Sequence, residues 1–249
     1  MKKIKVRAIV FDYGNTLLHD PFYDVLKIKM KRFREVLGRS GYNFRKKEII
    51  EAWRKADNEI NYPHISHFAQ EEPIIIETLR KLNVKIEDIP FLAPKILSIY
   101  REGYKEILSN EKKKRKKELE TIEALTKKGK KLGIFSNGRK FDLDLGIKTY
   151  GIEKYFDFIL SSEEAKVEKP DLQAFKIIIE KLNESSENIA YVGDDPAKDV
   201  KGAKKAKMKA ILYIPPKKYR KTTSWRNYNV KVVPDAKITK ISQLLKIIE

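Results

Sequence analysis

Cysteine is absent from this chain of 249 residues, and long apolar runs are absent too. The lack of cysteine excludes disulfide bonds, thiol nucleophiles and thiolate metal sites. No apolar run approaches the roughly 18 residues that span a bilayer, and the run near the start ends at Asp12, which argues against a signal peptide. Because hydrophobic residues make up 41% of the chain, we expect a globular protein with a core of its own, located in the cytoplasm.

Acidic residues are in deficit: 35 Asp and Glu face 54 Lys and Arg, which leaves a net charge of +19. Such a charge is typical of proteins that bind nucleic acid or attract anionic substrates. The Lys- and Glu-rich surface of a heat-adapted protein is the simpler interpretation. The segment 215–229, PPKKYRKTTSWRNYN, interleaves basic and aromatic side chains as single-strand nucleic-acid binders do, although a basic surface loop explains it more simply.

The spacing of apolar residues divides the chain into two kinds of structure. From about residue 20 to residue 108 it follows the helical period. Four apolar stripes make up this part: Leu26, Met30, Phe33 and Leu37; Ile49, Trp53, Ala56 and Ile60; Ile75, Leu79 and Leu82; and Leu92, Ile96, Ile99 and Ile107. After residue 110 strands alternate with helices, which implies a parallel sheet covered on both faces. The pattern predicts an α/β core from residues 1–18 and 110–249, with a helical insertion at 19–109.

The core is predicted element by element from the same patterns. The predicted strands are 7–12, 131–137, 156–162, 189–194, 209–214 and 230–233, and the predicted helices are 111–128, 140–150, 171–182, 197–207 and 239–248. The basic run EKKKRKK at 111–117 is interpreted as the solvated first half of a helix.

Four groups of polar residues come at or just past the carboxyl ends of predicted strands, where ligands bind in open parallel sheets. They are Asp12; Ser136-Asn137-Gly138; Lys169-Pro170; and Gly193-Asp194-Asp195 with Asp199. Taken singly, each could simply cap a helix. Together they suit phosphoryl transfer: a carboxylate nucleophile, a hydroxyl beside backbone N–H groups, a lysine, and acidic ligands for Mg²⁺.

The stretches FDYGNT, FSNG, KVEKPD and VGDDPAKDVKGAKKA, in that order, resemble the four motifs of the haloacid dehalogenase superfamily. The resemblance covers residues 7–18 and about 119–214. It implies a Rossmann-like α/β fold whose inserted α-helical cap covers the site, and an Mg²⁺-dependent hydrolase acting on a small anionic phosphorylated substrate.

The resemblance also implies a role for each motif residue. Asp12 is the expected nucleophile, and Ser136 and Asn137 are expected to bind the substrate phosphate. Lys169 is expected to bind the phosphate and to orient it and the nucleophile. The expected metal ligands are Asp12, Asp194 and the backbone carbonyl of Gly14. Asp199 is expected to be a metal ligand or a neighbour that orients the ligands. Asp195 is expected either to support the ligands or to cap the next helix.

The first motif departs from the usual phosphatase pattern. Gly14 stands where a second aspartate is usual, and Asn15 stands in place of the usual glycine. Asparagine tolerates left-handed backbone geometry, so we expect the turn to survive. What is lost is a general acid–base group, which is typically worth about 10²–10⁴-fold in rate. This loss argues against ordinary alkyl-phosphate hydrolysis unless the cap supplies an acid.

Alternatives therefore stay open. A phosphate-ester hydrolase would take the proton for its leaving group from His64, from His67 or from bound water, or it would work without a proton donor. A phosphonatase-like enzyme would use a Schiff-base lysine of the cap, from the set Lys27, Lys29, Lys31, Lys46, Lys47 and Lys55. The dehalogenase branch needs no metal and is disfavoured by the acidic cluster. The remaining alternative is a catalytically weak phosphate-binding or nucleic-acid-associated protein on the same fold.

Overall fold

A computed structural model describes residues 3–18, 21–61, 71–216 and 232–249. The chain forms two compact units, Pro21–Asn110 and Met1–Asp20 with Glu111–Glu249. His64, His67 and residues 217–229 of the basic and aromatic segment lie outside the described residues. Among the helices that are described, none is long and apolar enough to cross a membrane.

The unit Pro21–Asn110 is helical, as its apolar stripes predict. Its helices are α1 (Phe22–Arg39), α2 (Lys46–Asn61), α3 (Glu71–Lys81) and α4 (Ile89–Lys112), with a 3₁₀ turn at Ile86–Asp88 before α4. The stripe residues are buried, apart from Ile60 and Ile107, which are half-buried. Trp53 stacks on Phe33 and Tyr100, with ring centroids 6.4 and 5.4 Å away. The periodic positions are therefore the core of this unit.

The second unit contains a six-stranded parallel sheet, which confirms the predicted Rossmann-like α/β class. Its strands are β1 (Ala8–Phe11), β2 (Lys131–Ser136), β3 (Phe158–Ser161), β4 (Ile189–Gly193), β5 (Lys209–Tyr213) and β6 (Ala236–Ile238). Their spatial order is β3-β2-β1-β4-β5-β6. The first strand is thus central, and its carboxyl end lies between those of β2 and β4.

Helices connect these strands along the chain. They are α5 (Lys116–Lys127), α6 (Lys140–Tyr150), the short α7 (Ser162–Ala165), α8 (Leu172–Leu182), α9 (Lys201–Lys205) and α10 (Leu244–Ile247). Gly151 ends α6 in the left-handed conformation, with φ of 68°, as a C-terminal glycine does. A π-helical turn at Pro196–Val200 precedes α9, so the helix predicted at 197–207 is regular α-helix only in its second half.

The predicted start of the helix at 111–128 is wrong. Helix α4 continues to Lys112, the chain turns, and α5 begins at Lys116. The half-buried Arg115 explains the break, because its guanidinium lies 3.9 Å from Glu111 on one side of the turn and 3.6 Å from Glu118 on the other. The turn also separates a run of like charges that would repel within one continuous helix.

The last strand is also misplaced by the sequence prediction. Of the strand predicted at 230–233, residues 230 and 231 lie outside the described residues, and 232 and 233 are not in a strand. The strand β6 begins at Ala236. Pro234 has no N–H for a strand ladder. Asp235 pairs instead: its N–H donates to the carbonyl of Ala210, and its carboxylate accepts the Ala210 N–H, both at 2.8 Å. The strand therefore starts after this double contact.

Candidate active site

Asp12 lies at the carboxyl end of the central strand. In the sheet register, Phe11 is opposite Ile134 of β2 and Val192 of β4. The backbone N–H of Asp12 continues the ladder by donating to the carbonyl of Val192 at 2.8 Å. Because Asp12 directly follows the central strand, its carboxylate lies between the carboxyl ends of β2 and β4.

The turn after Asp12 uses Asn15 in the left-handed conformation, with φ of 59°. This confirms the expectation that asparagine can replace the usual glycine there. The N–H groups of Leu17 and Leu18 both donate to the carbonyl of Tyr13, at 3.1 and 3.0 Å, and close the turn. Gly14 is not among the residues with positive φ, so its backbone does not demand glycine.

Lys169 reaches into the same edge and joins two of the predicted site residues. Its Nζ lies 2.7 Å from Oδ1 of Asp12 and 2.7 Å from Oδ1 of Asp199. The side chain is almost completely buried. Burial by itself would lower the pKa of Lys169, but the two carboxylates outweigh it and raise the pKa well above the usual value. The residue is therefore a fixed ammonium ion.

Asn137 holds the backbone of Lys169. Its amide oxygen accepts the N–H of Lys169 at 2.9 Å, and its amide nitrogen donates to the carbonyl of Lys169 at 2.9 Å. These two bonds tie the end of β2 to the segment that carries the lysine. They show what the side chain does in this structure, whereas its role as a substrate ligand stays a prediction.

Asp199 is bound through both carboxylate oxygens. Oδ1 accepts from Lys169, and Oδ2 accepts the N–H of Asp195 at 2.9 Å. The carboxylate of Asp195 accepts the N–H groups of Ala197 and Lys198, at 2.8 and 3.0 Å. The side chain of Asp195 thus caps the next helical turn, and Asp199 contacts Lys169 directly.

Thr16 is a site residue to which the sequence analysis assigned no role. Its hydroxyl is completely buried, 3.1 Å from Oδ2 of Asp12 and 3.4 Å from Oδ1 of Asp194. The hydroxyl therefore lies between two of the predicted metal ligands. The available signal was its position at the end of FDYGNT, four residues after Asp12, where a tight turn brings the two side chains back together.

Ser136 ends β2 with its side chain buried. Within the described residues its hydroxyl has no hydrogen-bond partner, so it remains available to a ligand. The neighbouring N–H groups are less available than expected. That of Gly138 donates to the hydroxyl of Ser162 at 3.1 Å, and that of Lys140 donates to Glu163 at 2.7 Å. Of the backbone N–H groups expected beside the Ser136 hydroxyl, that of Gly138 is therefore already bonded within the protein.

The oxygen atoms at this edge fit a divalent metal ion. Carboxylate oxygens of Asp12, Asp194 and Asp199 lie within 4.8 Å of one another, and all three side chains are buried. Burial, followed by the charges of Asp12 and Asp199, raises the pKa of Asp194 well above its usual value. Three carboxylates around one ammonium ion leave excess negative charge, which a hard cation with oxygen ligands would neutralise.

Known proteins similar to this chain provide independent evidence about its family. The sequence profile described as "Haloacid dehalogenase-like hydrolase" matches residues 45–213, more than half of the chain. The matched range includes Ser136, Lys169 and Asp194 but begins after Asp12. The first motif, where this chain departs from the usual pattern, thus lies outside the match.

Several curated relatives are phosphatases. The chain is 31% identical over 96 residues to glyceraldehyde 3-phosphate phosphatase of Methanocaldococcus jannaschii. The aligned stretch covers 39% of this chain and 42% of that protein. It is 26% identical over 133 residues to the pyrophosphatase PpaX of Bacillus mycoides, covering 52% and 57%. The matched stretch thus spans between 40% and 57% of each of these relatives.

Solved structures extend the similarity over the whole chain. A HAD phosphatase from Thermococcus onnurineus covers 97% of this chain and 97% of its own, with a TM-score of 0.66 and 22% identity. A 2-haloacid dehalogenase from Pseudomonas syringae pv. Tomato covers 99% and 98%, with a TM-score of 0.65 and 21% identity. At these identities the likeness is one of fold, which hydrolases of both kinds share.

Proposed function

This chain belongs to the haloacid dehalogenase-like hydrolase family, and from that premise we propose that it hydrolyses the phosphate ester of a small anionic substrate, with Mg²⁺, through an aspartyl-phosphate at Asp12. One observation carries the proposal. The ammonium of Lys169 lies 2.7 Å from the carboxylate of Asp12 at the centre of a buried acidic site. That contact aims the lysine at the carboxylate that would attack phosphorus.

The proposed reaction has two steps, and the residues of this site have a part in each. In the first, an oxygen of Asp12 attacks phosphorus, the bond to the leaving oxygen breaks, and an aspartyl-phosphate forms. Ser136 donates a hydrogen bond to a phosphoryl oxygen, and Lys169 neutralises charge that spreads over the phosphoryl group. In the second, water attacks the aspartyl-phosphate, which releases inorganic phosphate and restores Asp12.

A metal ion belongs to this proposal. Asp12, Asp194 and the carbonyl of Gly14 would hold Mg²⁺, which supplies positive charge against the phosphoryl oxygens. Asp199 already uses both oxygens, on Lys169 and on the N–H of Asp195. We therefore assign it first to orienting the lysine, and its part as a metal ligand remains a proposal.

The lack of a side chain at Gly14 indicates which leaving groups this site can expel. A glycine brings no side chain that protonates the departing oxygen. Losing about 10²–10⁴-fold of acid–base help costs an alkyl phosphate roughly 3–5 kcal/mol of barrier. An acidic leaving group departs as an anion and loses little. The substrate is accordingly a phosphate ester or anhydride whose leaving group is a weak base.

The named relatives are consistent with a small phosphorylated substrate. They include phosphatases of glyceraldehyde 3-phosphate and ribulose 1,5-bisphosphate and a pyrophosphatase. Of these, a pyrophosphatase splits a phosphoanhydride, whose leaving phosphate is a weaker base than an alkoxide. The proposal takes the class of substrate from these names and the leaving-group preference from Gly14.

The phosphonatase alternative is weakened by the lysines of the helical unit. Lys29 is the buried one of the six candidates, and its Nζ lies 2.8 Å from Glu106 and 2.9 Å from Glu102. These hydrogen bonds, that with Glu106 first, raise the pKa of Lys29. A Schiff base needs a neutral amine, so this pairing opposes that chemistry. Lys27, Lys31 and Lys47 are exposed and pair with carboxylates on their own helices.

Phosphate release and mass spectrometry test the proposal together. We expect Mg²⁺-dependent hydrolysis of p-nitrophenyl phosphate, slower hydrolysis of alkyl phosphates, and no turnover of phosphonoacetaldehyde. A mass increase of one phosphoryl group should map to Asp12, and Asp12→Asn should abolish turnover while the circular dichroism spectrum is unchanged. Turnover in folded Asp12→Asn, or full activity after exhaustive chelation, would contradict the mechanism.

Borohydride trapping separates the phosphonatase alternative directly. Phosphonoacetaldehyde and borohydride should leave every lysine peptide of the helical unit unmodified. A reduced adduct on one lysine, lost when that residue is changed to arginine, would establish the alternative instead.

A further inference from the structure

Tyr191 is a buried aromatic residue of β4 that the mechanism above does not use. It comes three residues before Asp194, and only 1% of its surface is exposed. The Nζ of Lys169 lies 5.1 Å from the centroid of its ring. A cation at this distance over an aromatic face is attracted by the ring, most strongly where water is excluded.

The hydroxyl of Tyr191 is anchored on a different strand. It donates to the carbonyl of Phe135 at 2.7 Å. Phe135 belongs to β2, and β1 separates β2 from β4, so the bond crosses over the central strand. The residue after Phe135 is Ser136. A single side chain therefore links the strand that carries Asp194 to the residue beside the proposed phosphate ligand.

The ring is also held by the core. Tyr191 and Phe175 pack edge to face, with centroids 5.4 Å apart and an interplanar angle of 62°. Both belong to the same cluster of buried residues in the α/β unit. The hydroxyl bond and the buried cluster around the ring fix it, so it presents one rigid face to Lys169. Phe175 supplies one of these contacts, and a leucine at 175 would still fill that side of the ring.

A rigid face matters because lysine is a flexible point charge. Its four-carbon stem has many rotamers, and an ammonium ion has no preferred plane of hydrogen bonding. Asp12 and Asp199 each attract Nζ, at 2.7 Å, but attraction alone does not select one rotamer. The aromatic face bounds a third side of the ammonium and completes its position against Asp12.

We propose that Tyr191 is a positioning residue, whose ring holds the ammonium of Lys169 against Asp12 and whose hydroxyl fixes the end of β2 at Ser136. The effect of this positioning on turnover rests on the proposed function. The position of Lys169 is a structural property and can be measured without turnover.

Three variants separate the parts of this arrangement. Tyr191→Phe keeps the ring and loses the bond to Phe135. Tyr191→Leu loses the ring face as well. Phe175→Leu is the matched control, since it removes the partner ring from the same core cluster and leaves Tyr191 in place. Circular dichroism shows that each is folded, and Tyr191→Met, which keeps the length of the side chain, replaces a leucine variant that does not fold.

The first readout is steady-state hydrolysis of p-nitrophenyl phosphate. Tyr191→Leu should lower kcat by about tenfold or more, the size of a desolvated cation–π contact, with a smaller change in KM. Tyr191→Phe should recover most of this loss. Phe175→Leu should keep kcat close to that of the wild type even if it unfolds at lower temperature.

The second readout is independent of activity. Brief acetylation with an N-hydroxysuccinimide ester, followed by peptide mass spectrometry, reports the reactivity of Lys169. It should be protected in the wild type, in Tyr191→Phe and in Phe175→Leu, and acetylated at least about tenfold faster in Tyr191→Leu. Protection that depends on Tyr191 in a protein without phosphatase activity would support the positioning role and refute the proposed function. Equal reactivity and equal kcat in Tyr191→Leu and Phe175→Leu would overturn the inference.

Discussion

Asp199 packs over Gly193 so closely that a Cβ atom on Gly193 would lie 2.2 Å from Oδ2 of Asp199 and 2.5 Å from its Cβ. Asp199 in turn accepts a hydrogen bond from Lys169. The glycine of the fourth motif thus makes room for the carboxylate that holds the lysine against Asp12. A residue with no side chain is in this way part of the geometry of the site.

Gly193→Ala should therefore damage both the fold and the site. Overpacking of this kind typically lowers the free energy of unfolding by about 1–3 kcal/mol, and displacement of Asp199 should reduce kcat. Urea unfolding and p-nitrophenyl phosphate hydrolysis measure the two effects. Gly38→Ala is the control, because its nearest neighbour would be 3.6 Å from the new Cβ. Wild-type stability and kcat in Gly193→Ala would show that the contact is not restrictive.

Two adjacent acids should respond differently to loss of charge. Asp194→Asn removes a proposed metal ligand and should raise the Mg²⁺ concentration for half-maximal activity by at least about tenfold. Asp195→Asn should change it little, because an amide oxygen can still accept the N–H groups of Ala197 and Lys198. Magnesium titration of hydrolysis compares the pair. Equal effects in both variants would exclude a specific ligand role for Asp194.

Gly14 should divide the reaction into a fast and a slow step. With p-nitrophenyl phosphate the leaving group needs no proton, so aspartyl-phosphate should form quickly. Its hydrolysis needs an activated water, and Gly14 supplies no base. Stopped-flow absorbance should show a burst of nitrophenol followed by slow turnover.

Gly14→Asp tests the cause of that burst. The backbone at Gly14 does not require positive φ, so the main chain itself is not strained by a side chain there. The variant should remove the burst and raise the steady rate. Absence of a burst in the wild type, together with fast turnover of alkyl phosphates, would mean that another residue transfers the proton, and His64 and His67 would be changed next.

Asp235 should make stability depend on pH. Burial alone would raise its pKa, but the bond from the Ala210 N–H and the contact with Lys204, 3.0 Å away, lower it. A folded pKa below the unfolded value of about 3.9 means that the carboxylate stabilises the fold above that pH. The contribution is lost as the pH falls through the lowered pKa.

Asp235→Asn should accordingly lower the free energy of unfolding by about 1 kcal/mol at pH 7. The difference from the wild type should shrink as the pH falls below about 4. Chemical unfolding at several pH values measures it. Glu120→Gln, which breaks an exposed pair with Lys116, is the control and should change little at any pH. A difference for Asp235→Asn that persists unchanged at low pH would refute the charge argument.

The sequence by itself determined the fold class and most of the residues at the candidate site. Apolar stripes predicted the helices of Pro21–Asn110, and strand–helix alternation predicted the parallel sheet. These signals are local, because a helix that buries one face shows a period of about 3.6 residues, and a strand buried on both faces is a short continuous apolar run. The rule that ligands bind beyond the carboxyl ends of parallel strands then grouped Asp12, Ser136, Lys169 and Asp194, although they lie far apart in the chain.

Only the tertiary structure decided how those residues are used. The contacts of Thr16 and Tyr191, the two hydrogen bonds of Asp199 and the capping by Asp195 join residues that no periodicity relates. The misplaced last strand has the same origin, since the double contact of Asp235 with Ala210 joins two distant segments. A sequence pattern records which faces must be buried. The partner of each buried polar group is chosen by packing in three dimensions.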